Sequence, residues 1–131
     1  MQRAIVAALL VAAGGAALGA HHSFAAEYDA NQPITLQGRI ARIDFVNPHS
    51  WLYLDVQGAD GKVVRWTVEM APPNNLMRRG VTGTTLLVGE SVGVDGYRAR
   101  NGSTVVSGRQ IRTADGRTLF TSPSATAPPD Q

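Results

Sequence analysis

The sequence predicts a mostly β domain: a small antiparallel barrel of five to six strands, with one short helix between the third and fourth strands. Apolar residues alternate with polar ones along most of the chain, as they do in strands that bury one face. Short runs rich in glycine, asparagine and aspartate separate these segments at hairpin spacing. The chain has no cysteine, so packing must stabilise the domain without disulfides.

The first strand is predicted over residues 33–46, after an extended or irregular segment at residues 24–32. The period of its apolar residues changes between Leu36 and Ile43, with Gly38 inside this interval. A change of period in one strand is typical of a β-bulge. We therefore expect a long strand with one bulge.

The second and third strands, SWLYLDV and VVRWTVEM, flank a hairpin loop at residues 58–62. Pairing them about this loop places three apolar pairs on one face: Leu52 with Val68, Leu54 with Trp66, and Val56 with Val64. The other face pairs Trp51 with Glu69, Tyr53 with Thr67, and Asp55 with Arg65. Matched apolar residues and opposite charges favour this register, and a one-residue slip would turn every core residue outward.

The segment at residues 71–80 predicts a short helix, because prolines begin it, arginines occupy its last turn and a glycine ends it. Leu76 and Met77 are expected to turn inward. Two further hairpins turn at Asn101–Gly102 and Asp115–Gly116. Three strands, a helix and two or three more strands follow the order of an OB-type barrel. A β-sandwich is the alternative, since periodicity cannot show closure.

Residues 1–20, MQRAIVAALLVAAGGAALGA, contain one arginine and then an apolar run. This pattern is typical of a secretory signal peptide. We expect cleavage after Ala20, with Gly19 and Ala25 as the alternative cleavage points. The exported protein would be periplasmic and would keep no stable membrane span.

The remaining chain is expected to form an OB-like domain at residues 21–121 and a disordered tail at residues 122–131, where no apolar pattern continues. The full sequence has 12 basic and 10 acidic residues. Removing Arg3 with the leader leaves 11 − 10 = +1. So small a net charge argues against nucleic acid as a partner.

Two of the three histidines, His21 and His22, follow the expected cleavage point, and His49 precedes the second strand. A chain that begins with histidine offers its α-amino nitrogen and its ring Nδ1 as a chelating pair. His49 would add a third nitrogen, and such a set suits copper. The alternative is that the terminal histidines are only solvated or packed, and cleavage after Ala25 would remove both.

The outward face of the central hairpin is a second candidate site, for a small ligand. Its residues are Trp51, Tyr53, Asp55, Arg65 and Glu69. Aromatic rings bordered by charges resemble the ligand platform of OB-type barrels. The alternative is that the N-terminal segment, with Phe24 and Tyr28, or the helix at residues 72–80 covers this face as a satellite core.

Catalysis has little support, because no set of nucleophile, base and orienting group is visible. His49 beside Glu69 or Asp44 could act as a base, but the chain has no cysteine nucleophile and no Gly-x-Ser-x-Gly motif. We therefore expect a non-catalytic binding module whose partner is an unknown small ligand or an envelope protein. The alternatives are a periplasmic copper-binding protein and a structural accessory module of an envelope protein.

Several motifs together are characteristic: HHSFAAEYDA, GRIARIDFVNPHSWLYLDV, WTVEM before PPNNLMRRG, VGVDGYRARNGS and ADGRTLF. With these motifs the chain resembles a bacterial family of small exported proteins that is classed only as a domain of unknown function. The resemblance covers nearly all of the chain after the leader. It implies a small periplasmic β-barrel that begins near His21 and keeps both terminal histidines, and it implies no activity.

Overall fold

The computed structural model describes residues 23–123, which form one six-stranded sheet and two short helices. The elements are α1 (Phe24–Glu27), β1 (Tyr28–Asp44), β2 (Ser50–Gln57), β3 (Val63–Met70), α2 (Pro73–Arg78), β4 (Ser91–Ala99), β5 (Val105–Thr113) and β6 (Thr118–Phe120). The expected leader, the two terminal histidines and residues 124–131 of the expected tail lie outside the described residues.

The sheet closes into a barrel where β3 meets β5. Neighbouring strands pair antiparallel in the order β3-β2-β1-β4-β5-β6, and β3 also pairs with β5 in parallel over Thr67–Glu69 and Val105–Ser107. The backbone N–H of Ala71 donates to the carbonyl of Thr121 at 2.9 Å and joins the ends of β3 and β6. This closure, with α2 between β3 and β4, confirms the predicted OB-like barrel and excludes the sandwich.

The β2–β3 hairpin has the predicted register at every pair. Its inward face carries Leu52, Leu54 and Val68, all fully buried. On the outward face, Trp51 and Tyr53 are half-buried, Glu69 is buried and Arg65 is exposed. This register buries the three inward-facing residues, which a slip by one residue would turn outward, whereas Val64 of the predicted apolar set is 44% exposed near the hairpin loop.

β1 also contains the predicted bulge, since its pairing with β2 changes register between Ile40 and Arg42. The strand is longer than predicted, because it begins at Tyr28 and not at Pro33. Its early part pairs with β4 and not with β2. A partner distant in sequence leaves no signal in the local apolar pattern, so this extension was not predicted.

The N-terminal segment differs from the extended or irregular segment predicted there, because residues 24–27 form one helical turn, α1. The ring of Phe24 stacks on Tyr28 with 5.7 Å between centroids and meets Tyr97 edge-on at 5.5 Å. Four residues are too few to form a helix alone. These ring contacts hold the turn against the barrel.

The second helix packs only one face against the barrel. Leu76 is fully buried, whereas Met77 is 64% exposed, so the prediction that both turn inward is wrong for Met77. A helical turn takes about 3.6 residues, so successive side chains point about 100° apart. When Leu76 faces the barrel, the neighbouring Met77 therefore points away from it. Neither helix within residues 23–123 is long and apolar enough to cross a membrane.

The core is one cluster inside the barrel, to which every strand and α2 contribute. Its fully buried side chains include Ile40, Leu52, Leu54, Val68, Met70, Leu76, Val94, Val106 and Ile111. Gly38 lies where β1 presses against β2, and a Cβ there would stand 2.5 Å from the carbonyl oxygen of Asp55. Only glycine permits this approach.

A polar cluster around Asp95 ties three strands together on the outside of the barrel. Its carboxylate accepts hydrogen bonds from Thr35 at 2.7 Å, Gln110 at 2.8 Å and Arg112 at 3.1 Å. Burial raises the pKa of Asp95, but these hydrogen bonds and the charges of Arg112 and Arg109 lower it by more in sum. The charged form of Asp95 therefore stabilises the fold.

Candidate functional site

A cleft of ≈ 640 Å³ lies at one end of the barrel. Pro48 and His49 of the β1–β2 loop form one side, and Arg100, Asn101 and Ser103 of the β4–β5 loop form another. Its volume falls in the range of about 300–1,000 Å³ that small-molecule sites occupy. OB-type barrels bind their ligands beside these same two loops.

Glu69 is the buried carboxyl group of this cleft, with 4% of its surface exposed. It projects from β3, directly opposite Trp51 on β2. The ring Nδ1 of His49 contacts Oε1, and the hydroxyl of Tyr28 donates to Oε2. A buried carboxylate is costly unless its oxygens are hydrogen-bonded. Here each oxygen has a partner, which explains how the barrel accommodates the group.

His49 is oriented by this contact. A carboxylate only accepts hydrogen bonds, so the His49 ring donates from Nδ1 and retains Nε2 for another partner. The side chain is 33% exposed and lines the cleft. A carboxylate on one ring nitrogen commonly fixes the tautomer of histidines that bind a metal or move a proton through the other nitrogen.

Tyr28 closes the other side of Glu69. Burial raises the pKa of the Tyr28 hydroxyl far above its ordinary value, and the hydrogen bond to Glu69 and the charges of Glu69 and Glu27 raise it further. The hydroxyl therefore stays protonated at physiological pH and remains a donor to Glu69.

Arg100 holds the N-terminal segment in place as a wall of the cleft. Its backbone N–H donates to the carbonyl of Glu27 at 2.9 Å, and its Nε donates to the carbonyl of Ala25 at 2.7 Å. Its Nη1 also lies 3.9 Å from a carboxylate oxygen of Asp29. The guanidinium is thus committed to the protein's own chain.

The five residues predicted for ligand binding lie in three different places. Trp51 and Glu69 line the cleft, together with His49. Tyr53 lies outside the cleft, and the guanidinium of Arg42 stands 5.2 Å from its ring centroid. The remaining two, Asp55 and Arg65, pair with each other further along the hairpin.

The Asp55–Arg65 pair is bidentate, with hydrogen bonds of 2.8 Å and 3.0 Å. The hydrogen bonds from Arg65 lower the pKa of Asp55. These side chains therefore satisfy each other as a cross-strand pair and do not reach the cleft. A role for them and for Tyr53 in binding stays a prediction.

The N-terminal segment covers part of the outward face, and ligand binding there stays a prediction. Tyr28 of the N-terminal segment covers Glu69, as the satellite-core alternative expects. Trp51 nevertheless remains half-buried on the wall of the cleft. The segment thus builds one side of the cleft and leaves the tryptophan accessible.

The predicted copper set is only partly visible. His21 and His22 lie outside the described residues, so the structure places His49 alone. His49 contacts Glu69, whereas the other carboxyl group considered for it, that of Asp44, pairs with Arg42 at 2.6 Å. Within residues 23–123, no group of three or more histidine, aspartate or glutamate side chains is placed to hold a metal ion. Copper binding stays a prediction.

Sequence reasoning missed the contribution of the β4–β5 loop. Asn101 Oδ1 accepts a hydrogen bond from the backbone N–H of Ser103 at 3.0 Å, which shapes this loop beside the cleft. The Oγ of Ser103 is buried without a hydrogen-bond partner. The Asn101–Gly102 turn signal located the loop, and the usual binding place of OB-type barrels could have pointed to it.

The closed barrel and its loop-lined cleft together define a protein of the OB-barrel class. Residues 8–108 match the family described as "Family of unknown function (DUF6152)". This match spans more than half of the chain, so the protein belongs to that family, and the expected resemblance to a family of unknown function is confirmed. No curated protein matches the chain. The matched segment contains β1–β4 and both loops of the cleft.

Proposed function

We propose that the protein is a non-catalytic binding module of the periplasm that holds a small ligand in the cleft between the β1–β2 and β4–β5 loops. One observation carries this proposal: His49, Trp51 and Glu69 come from different elements and meet at the end of the barrel where OB-type proteins bind ligands. A half-buried aromatic ring beside a few oriented polar groups is the usual composition of such sites.

Binding is favoured over catalysis by the state of the polar groups. His49 and Glu69 form an oriented pair, and a reaction would require a nucleophile or metal beside it. Ser103 also lines the cleft, but its Oγ is buried and makes no hydrogen bond, so the His49 ring does not hold it. Activated serine nucleophiles are hydrogen-bonded to their base.

Export is supported by the leader-like sequence at residues 1–20 alone. A periplasmic location is also compatible with a cysteine-free chain, because no thiol is exposed to oxidation there. Intact mass of the protein from its native host tests this part. A mature start within residues 20–26 supports export, and an intact Met1 start contradicts it.

The ligand site is tested by fragment screening with ¹H–¹⁵N NMR on the purified chain. Fragments that bind should shift the amide signals of Trp51, His49 and the β4–β5 loop. Trp51→Ala should abolish these shifts without unfolding the barrel, because the ring forms a wall of the cleft but is not part of the core.

Tyr53→Ala is the matched control, since Tyr53 lies two residues further along the same face of β2, outside the cleft. This variant should bind the same fragments as the unmodified protein. Equal loss of binding in both variants, or hits confined to another surface, would refute the proposed site.

A copper site is the second candidate function, and the anchoring of His49 favours it. The carboxylate of Glu69 on Nδ1 leaves Nε2 available, which is the arrangement found behind many metal-ligating histidines. We propose that His21 and His22 would supply the remaining nitrogens to Cu(II). The test is titration of Cu(II) into protein that begins at His21. Tight 1:1 binding weakened by His49→Ala supports the site, and binding unchanged by this substitution removes His49 from it.

A further inference from the structure

The geometry points to a neutral saccharide of about drug size as the ligand of the cleft, an inference that rests on the proposed binding function. Three features carry it: the charges around the cleft are already paired, one aromatic face is accessible, and hydroxyl-complementary groups surround that face. Each feature selects against a different class of ligand.

The charged groups of the cleft leave little to attract an ionic ligand. Glu69 is contacted at both oxygens by His49 and Tyr28. The guanidinium of Arg100 donates from Nε to the carbonyl of Ala25 and lies 3.9 Å from a carboxylate oxygen of Asp29. An ionic ligand would compete with these contacts inside the protein, so the cleft favours a neutral molecule.

The accessible face belongs to Trp51, which is half-buried and lines the cleft together with residues of the β4–β5 loop. An indole ring offers a large apolar surface at small entropic cost. The C–H face of a sugar ring is apolar and nearly flat, so it can cover the indole while its hydroxyl groups point to the rim. OB-type barrels use this end of the fold for oligosaccharides as well as for nucleic acids.

The polar groups beside Trp51 match hydroxyl groups, which both donate and accept. With Nδ1 held by Glu69, the His49 ring keeps Nε2 available for a hydrogen bond with a hydroxyl group, which can donate or accept. Asn101 contributes its side-chain amide, whose NH₂ group can donate to a hydroxyl group while Oδ1 accepts from the backbone N–H of Ser103.

Nucleotides are disfavoured by the same residues. Binding of a phosphate backbone depends on uncommitted lysine or arginine side chains. Among the described residues that line the cleft, Arg100 is the one permanently charged cation, and it is bonded to Ala25 and Glu27 through its side chain and its backbone. Stacking alone would leave the phosphates unpaired.

The test is a titration of the full purified chain with N-acetylglucosamine disaccharide and with cellobiose, followed by ¹H–¹⁵N NMR, with adenosine and its monophosphate as comparison probes. At least one saccharide should shift the amides of the cleft. Trp51→Ala should weaken its binding by about tenfold or more, which corresponds to about 1.4 kcal/mol. Trp51→Phe keeps a smaller aromatic ring, so its affinity for the saccharide should decrease less. Tyr53→Ala should bind the saccharide with unchanged affinity.

Three other outcomes overturn the inference. Adenosine or its monophosphate binding more tightly than both saccharides would assign the cleft to nucleobases, and the proposed binding function would stand. If aromatic fragments bind in the cleft but no saccharide does, the saccharide inference is refuted and the proposed binding function stands. If no probe and no fragment shifts the cleft, the proposed function fails as well.

Discussion

Removal of the Tyr28 hydroxyl is a direct perturbation of the buried carboxyl group. Tyr28→Phe keeps the ring, and thereby its stacking on Phe24, but takes away the donor to Glu69 Oε2. Glu69 is 4% exposed, so water cannot easily replace the lost donor. A buried acceptor left without a partner costs about 1–3 kcal/mol, and the charge of a carboxylate places this case near 2 kcal/mol. For a domain of about 100 residues, that is a decrease in Tm of roughly 8–16 °C.

The assay is urea denaturation followed by circular dichroism, with Tyr53→Phe as the matched control. Tyr53 lies half-buried under Arg42 outside the cleft, so its hydroxyl should contribute less than about 0.5 kcal/mol. A Tyr28→Phe variant as stable as the control would show that Glu69 does not depend on this donor, and the described site would be wrong.

The pH dependence of the same variant gives an independent check. The pKa of Tyr28 is raised in the folded protein, so its contribution to stability is complete below the unfolded-state pKa of about 10 and decreases as pH rises above that value. The difference in stability between the unmodified protein and Tyr28→Phe should therefore be constant near neutral pH and narrow above about pH 10. A difference that grows with pH would contradict this sign.

Three further predictions concern the barrel. Gly38→Ala should destabilise the protein by about 1–3 kcal/mol, because the new methyl group meets a carbonyl oxygen of β2. Gly83→Ala should change the stability by less than about 0.5 kcal/mol, because a Cβ at Gly83 has nothing within 4 Å. Chemical denaturation of the two variants measures this difference. Leu76→Ala should lower the free energy of unfolding by about 2–5 kcal/mol, because Leu76 is fully buried. Met77→Ala should lower it by less than about 0.5 kcal/mol, because Met77 is exposed. Similar losses in both variants would mean that α2 packs differently from the structure. Asp95→Asn should lower the free energy of unfolding by about 1–3 kcal/mol near neutral pH, because the charged carboxylate of Asp95 accepts three hydrogen bonds. Because the pKa of Asp95 is lowered in the fold, this loss should shrink as pH falls below about 4, and a loss independent of pH would refute the assigned role.

The sequence predicted the barrel well wherever a strand buries one face and a turn has a recognisable signal. The complete β2–β3 register, the bulge in β1 and the turn at Asn101–Gly102 followed from these local patterns. The helical turn of α1 and the early start of β1 did not, because contacts with β4 and with Tyr97 hold them. Local periodicity contains no information on such partners.

The candidate site was predicted in part for the same reason. Trp51 and Glu69 share a face by strand alternation, so the sequence could group them. It also grouped Tyr53 on that face, but it could not show that the N-terminal segment and the β4–β5 loop build the cleft at only one end. The clamp formed by Arg100 depends on contacts between residues about 75 positions apart, which no local pattern contains.

The most direct test of the binding site is a crystal structure of the protein with its strongest fragment or saccharide hit. Electron density for the molecule against the ring of Trp51, within hydrogen-bond distance of His49 Nε2 or the Asn101 amide, is the predicted result. Density on another face of the barrel, with the cleft filled only by solvent, would contradict the assignment of this cleft as the ligand site.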